Sequence, residues 1–129
     1  MLLRLLLIKF LIIFQPAFTE SLFIAPDNQN TILVVGDSLS AAYGIDVNDG
    51  WVNLLRKQLE EYDSRYQWQV INASISGDTT TGGLERLPKL VDTYHPVLCI
   101  IAVGANDGVR GQSLDLMPLN LQSMFTLWT

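Results

Sequence analysis

The sequence predicts an α/β fold built on a parallel sheet, and three observations carry that expectation. Short apolar runs alternate with longer stretches of helical period, the pattern of strands joined by helical crossovers. Thr31 to Val35 (TILVV) and Val97 to Val103 (VLCIIAV) lack the polar alternation of a strand with one wet face, so both faces should be covered. Each predicted strand also runs directly into small polar residues, as strands do where they leave a sheet.

The elements follow in chain order. Met1 to Phe18 (MLLRLLLIKFLIIFQPAF) has a cationic start and an apolar run whose only charges are Arg4 and Lys9, which reads as a secretory signal over residues 1–21. Leu5 to Phe14 is too short for a bilayer span, which needs about 20 apolar residues, so no stable membrane span is expected. Residues 22–30 read as a linker, polar from Ala25 to Asn30 (APDNQN), and 31–129 as one partial domain. Thr31 to Val35 is the first strand. Trp51 to Tyr62 follows as a helix with apolar residues at 51, 52, 54, 55, 59 and 62, preceded by Asp49 and Gly50 as capping residues. Gln67 to Asn72 (QWQVIN) partly alternates and reads as a second, more exposed strand. Gly83 to Tyr94 carries Leu84, Leu87, Leu90, Val91 and Tyr94 at helical spacing, with Pro88 expected to kink it or mark a restart. Val97 to Val103 is expected to be the central strand, and Leu114 to Leu127 a last helix with Pro118 near its first turn.

Composition narrows the function. A length of 129 residues allows one small domain, without room for separate catalytic and cofactor domains. The formal net charge of -5 opposes nucleic-acid binding, which shows as a basic stripe; once Arg4 and Lys9 leave with the signal the charge is -6 or -7, depending on whether cleavage also removes Glu20. The single cysteine excludes an internal disulfide and any cysteine metal cluster, and Cys99 reads as a buried small hydrophobe. No GxGxxG or Walker motif supports a dinucleotide or P-loop site. Any histidine chemistry within these residues must run through His95, the one histidine.

The three polar segments are Gly36-Asp37-Ser38-Leu39-Ser40, Ala73-Ser74-Ile75-Ser76-Gly77-Asp78-Thr79 and Gly104-Ala105-Asn106-Asp107-Gly108. In a parallel sheet all three emerge at the carboxyl ends of the strands, where open α/β sheets bind ligands. The set suits acyl transfer. Ser38 is placed to attack a carbonyl at a strand-to-helix turn, where a helix N-terminus favours developing negative charge. Gly77 offers a bare backbone N–H and Asn106 a side-chain N–H, donors worth about 2.7–4 kcal/mol each in such a transition state. Taken singly, Gly-Asp-Ser also suits a plain helix cap, and Asn-Asp-Gly an ordinary turn. Their combination on one rim favours the chemical reading. Asp37 and Asp107 are expected to fix turns and bond backbone amides, since a carboxylate is a poor base for a serine hydroxyl.

The stretches VVGDSLSAAYGI, VINASISGDTTTGGLERLP and IAVGANDGVRG resemble the SGNH (GDSL) hydrolases, and within them the periplasmic thioesterase I / lysophospholipase L1 / arylesterase group. The resemblance runs from about Thr31 to Phe125, with the three blocks in family order. It implies a flavodoxin-like three-layer α/β/α fold, no metal or other cofactor, and export to the periplasm. It implies Ser38 as nucleophile, with Gly77 and Asn106 as oxyanion donors beside the Ser38 amide. The substrate implied is a small acyl ester or thioester. The family's closing Asp-x-x-His block, which supplies the base, does not follow the third block, so the C-terminal part of the fold is expected to be missing from these residues. His95 precedes the third strand, on the order of 20 Å from the rim that carries Ser38, and reads as structural, ending a helix ahead of Pro96. Two readings stand at this point: a serine hydrolase of carboxylic esters and thioesters acting through an acyl-enzyme on Ser38, with a carbohydrate acetylesterase as its nearest competitor, or a catalytically dead fragment that binds acyl groups or a partner.

Overall fold

A computed structural model describes residues 29–62 and 66–128. The predicted signal, 1–21, lies outside the described residues, as does the linker up to residue 28. Strand β1 spans Gln29–Gly36, so the last two residues assigned to the linker belong to the sheet. A 3-10 turn at Val47–Asp49 leads into α1, Trp51–Tyr62. Then come β2 (Gln67–Asn72), α2 (Thr80–Tyr94), β3 (Leu98–Ala102), the short α3 (Ala105–Val109) and α4 (Leu116–Trp128).

The sheet order is β2-β1-β3, all parallel, so β1 is central. Among the described residues the third apolar run, expected to be central, therefore flanks the centre. Apolarity marks both strands, but only β1 has a neighbour on each side among the described residues, and its positions 31–36 are all buried. β3 flanks it and is exposed or half-buried throughout.

Alternation along β1 builds two cores. Ile32 and Val34 pack with Val52 of α1 and Val70 of β2, flanked by Leu59, Trp68 and Ile100. Leu33 and Val35 pack on the opposite face with Leu87 of α2 and Met124 of α4. The layers are therefore α1, the sheet, and the α2–α4 pair, the expected α/β/α arrangement. Cys99 is half-buried against the second core, where burial pushes its thiol up to about 11.

Local chemistry sets the helix bounds. The Gly50 carbonyl accepts from the Leu54 N–H (3.0 Å), so Gly50 caps α1. α2 starts three residues before the apolar periodicity because its start is a cap, with the Thr79 hydroxyl accepting from the Gly82 N–H at 3.3 Å. It does not restart at Pro88, which sits exposed within one continuous helix. The lost i→i−4 bond at Pro88 is tolerated within a 15-residue helix whose Leu87 is fully buried.

Leu33 has no exposed surface and sits in the central strand. Leu33→Ala should cost about 2–5 kcal/mol of stability, read as a lowered urea midpoint with an unchanged slope. A loss below about 1 kcal/mol would contradict this packing.

Candidate active site

The three polar segments meet at one edge of the sheet. Gly36, the last residue of β1, is level with Ala102 at the end of β3, and Val34 is level with Asn72 at the end of β2. Two further bonds stitch the β2 loop to β1: Ala73 N–H to the Val34 carbonyl (2.8 Å) and Ile75 N–H to the Gly36 carbonyl (3.0 Å). A side chain at Gly36 would strike Ser40 and come within 2.8 Å of Ser74 Oγ. Glycine there lets Ser40 and Ser74 close over the strand end.

Ser38 lies in a tight turn. Asp37 organises it, its Oδ1 accepting from the Leu39 N–H (3.0 Å) and its carbonyl from the Ala41 N–H (2.9 Å). The Ser38 carbonyl accepts from the Tyr43 N–H (3.0 Å). No regular helix follows directly, so the expected helix N-terminus at Ser38 is absent; the next helices begin at Val47 and Trp51. Positive φ at Ala42 (59°) and Gly44 (81°) turns the chain before a helical ladder forms. The turn is braced from below: Trp51 Nε1 donates to Ser40 Oγ (3.2 Å), and Asn72 Nδ2 donates to the Ser40 carbonyl (2.8 Å).

The second and third loops are joined by side chains. Asn106 Nδ2 donates to the Asp78 carbonyl (2.9 Å). Arg86 Nε donates to the Asp78 carboxylate at 2.9 Å, Nη2 lies 2.7 Å from it, and Nη1 donates to the Ala73 carbonyl. Asp107 is almost fully buried and accepts from both the Thr80 N–H (2.9 Å) and the Thr80 hydroxyl. Asn120 of α4 donates to the same hydroxyl at 3.0 Å, so α2, α3 and α4 converge on Thr80. The segment from Ala105 to Val109 is a short helix rather than an ordinary turn.

What remains unspent matters most. Among the described residues, neither the Ser38 nor the Gly77 backbone N–H has an intramolecular acceptor, and the Ser38 hydroxyl has no partner. Asn106 Nδ2 uses one N–H on Asp78 and keeps the second. Gly77 holds φ at +80°, which glycine adopts without strain. His95 is not brought to this rim. It is the left-handed C-cap of α2 (φ 42°, ψ 52°), and Val97, two residues on, donates to the Thr31 carbonyl (2.8 Å) beside the amino-terminal part of β1. Asp78, Thr80, Arg86 and Arg110 were not singled out in the sequence. Their only signal there is proximity to the three blocks, since their partners lie up to 40 residues away.

The GDSL-like lipase/acylhydrolase family model matches residues 34–128. The chain belongs to that family. It is 53% identical over 94 residues to esterase TesA of Pseudomonas aeruginosa, a match covering 73% of this chain and 46% of that protein. It is 43% identical over 82 residues to thioesterase 1/protease 1/lysophospholipase L1 of Escherichia coli K12, covering 64% of this chain and 37% of that one. Among solved structures, the crystal structure of TesA superposes with a TM-score of 0.68 at 52% identity, over 73% of this chain and 51% of that chain. The chain thus spans less than half the length of these curated relatives. Its parallel sheet with helices matches their α/β fold over the shared part.

Asp107 supplies the test of this architecture. Asp107→Ala leaves the fully buried Thr80 N–H and its hydroxyl without their acceptor. The expected cost is at least about 1–3 kcal/mol in chemical denaturation, with amide exchange quickened at the start of α2. Unchanged protection at Thr80 would show that this bond does not hold the two loops together.

Proposed function

We propose that this chain carries the nucleophile and oxyanion donors of a serine hydrolase acting on carboxylic esters and thioesters. The observation that carries the reading is the set of unspent groups on one rim: the Ser38 hydroxyl, the Ser38 and Gly77 N–H groups, and the second N–H of Asn106. A buried or half-buried rim keeps such donors unpaired at a cost unless a ligand oxygen takes them. Large exposed apolar side chains flank each loop, Leu39, Ile75 and Val109, which suits an acyl chain rather than a sugar.

In the proposed reaction Ser38 Oγ attacks the acyl carbonyl as a base takes its proton. The carbonyl oxygen gains negative charge facing the Ser38, Gly77 and Asn106 donors. The tetrahedral intermediate collapses, expelling an alcohol or thiol that receives the proton, and water then hydrolyses the Ser38 ester by the reverse sequence. The base is not among the described residues, since their one histidine sits at the opposite end of the sheet. His95 in that position favours a second reading for these 129 residues acting alone: acyl binding with little turnover. Export of the activity is proposed from the cationic, apolar stretch Met1 to Phe18. No helix among the described residues is long and apolar enough to cross a membrane.

Hydrolysis of a chromogenic short-chain ester tests both readings. The 129-residue chain alone should show at most the residual catalysis, roughly 10³–10⁴ over water, that an oxyanion hole provides without its base. Joined to a family C-terminal segment containing Asp-x-x-His, it should turn over rapidly, and Ser38→Ala should return the rate to background. Equal rates for the completed protein and its Ser38→Ala variant would sink the assignment.

Asn106→Ala in the completed protein separates the donor role from simple binding. The expected result is a fall in kcat of about 10²–10³-fold with KM little changed. A pure KM effect would make Asn106 a binding residue only.

A further inference from the structure

Arg110 stands beside the same rim and has no part in the reaction above. It is the C-cap of α3, and its N–H donates to the Asn106 carbonyl (2.9 Å), so it follows Asn106 by one helical turn. Its side chain reaches across to the second loop: a Cβ on Gly77 would lie 2.6 Å from Arg110 Nη2 and 3.7 Å from its guanidinium carbon. The absence of a side chain at Gly77 is therefore what lets the guanidinium seat there.

That cation is uncompensated. Among the described residues Arg110 makes no ion pair and no side-chain hydrogen bond. The carboxylates of the adjoining loops are engaged elsewhere, Asp78 with Arg86 and Asp107 with Thr80. In a chain of net charge -5, an arginine without a carboxylate, packed against the residue that carries the unspent Gly77 N–H, makes a local site for an anion. The planar guanidinium fork fits phosphate oxygens in pairs. Its exposure favours a solvated ligand group over the reacting oxygen itself, because water screens an exposed charge.

We propose that Arg110 is a specificity-determining residue that binds a phosphoester group of the substrate lying a glycerol's length from the scissile carbonyl. The inference rests on the proposed oxyanion role of Gly77, which fixes how near the anion must be. With the carbonyl oxygen at the Gly77 N–H, a guanidinium packed against Gly77 reaches groups only a few bonds beyond the ester. An acylglycerol phosphate meets that limit. The phosphates of an acyl-coenzyme A, at the far end of the pantetheine arm, extend past it.

Binding of two non-hydrolysable probes, an octylglycerol ether and its phosphate monoester, is the test, by calorimetry on the chain without any requirement for turnover. The phosphate probe should bind about tenfold tighter than the neutral ether at low salt, with the advantage shrinking as salt rises. Arg110→Gln should bring the ratio close to one while leaving the neutral ether's affinity unchanged, and Arg110→Lys should restore part of the ratio. A wild-type ratio near one, no binding of either probe, or equal weakening of both in Arg110→Gln would overturn the proposal. Failure of Ser38-dependent ester hydrolysis, with the binding ratio intact, would count against the hydrolase reading and leave the anion site standing.

Discussion

Strand β1 is the constraint on which the rest of the molecule depends. Its alternate side chains are buried on opposite faces, Ile32 and Val34 toward α1, Leu33 and Val35 toward α2 and α4. A strand buried this way needs cover on each face, which α1 and the α2–α4 pair supply, and its parallel neighbours are reached through helical crossovers. Parallel pairing with β2 and β3 then delivers all three following loops to one edge. The position of the candidate site thus follows from burying four consecutive apolar residues, Ile32 to Val35, and no loop had to be steered there separately.

On that edge, negative charge is used for construction and several N–H groups are left unpaired. Asp37 holds the Ser38 turn, Asp78 is locked by Arg86, and Asp107 caps the start of α2 through Thr80. Each carboxylate is consumed by backbone or by a cation, which keeps acidic groups from facing the place where an oxyanion would form. The Ser38 and Gly77 N–H groups and the second Asn106 N–H are left without a carboxylate acceptor among the described residues. Arg110 adds to the positive side of the same balance.

Much of this was legible in the sequence because it rests on local patterns. The bounds of α1 and β2 agree with their periodicity to the residue, since an amphipathic face and a short alternating run each report on a few neighbours. The backbone-bonding roles of Asp37 and Asp107 were also foreseen, and both carboxylates accept backbone N–H groups as expected. Three things were not legible. β3 reads as central by composition but lies beside β1 among the described residues, since strand order depends on which elements pair, which no single run encodes. The turn after Ser38 was expected to enter a helix, but left-handed residues at Ala42 and Gly44 redirect it. Arg110 carries no local signal, because its significance comes from Gly77, 33 residues earlier in the chain.

By itself the sequence determined the fold class, the two-faced first strand, the family and the three residues Ser38, Gly77 and Asn106 as the place to look. These are properties of short segments, and short segments carry their own periodicity, turn chemistry and motif spacing. Tertiary structure alone decided strand order, the separation of His95 from the rim, the capture of every nearby carboxylate, and which donors stay unpaired. The physical reason is that hydrogen-bond satisfaction and charge compensation are sums over neighbours in space, and those neighbours, such as Thr80 with Asp107 and Gly77 with Arg110, are brought together only when the sheet is assembled.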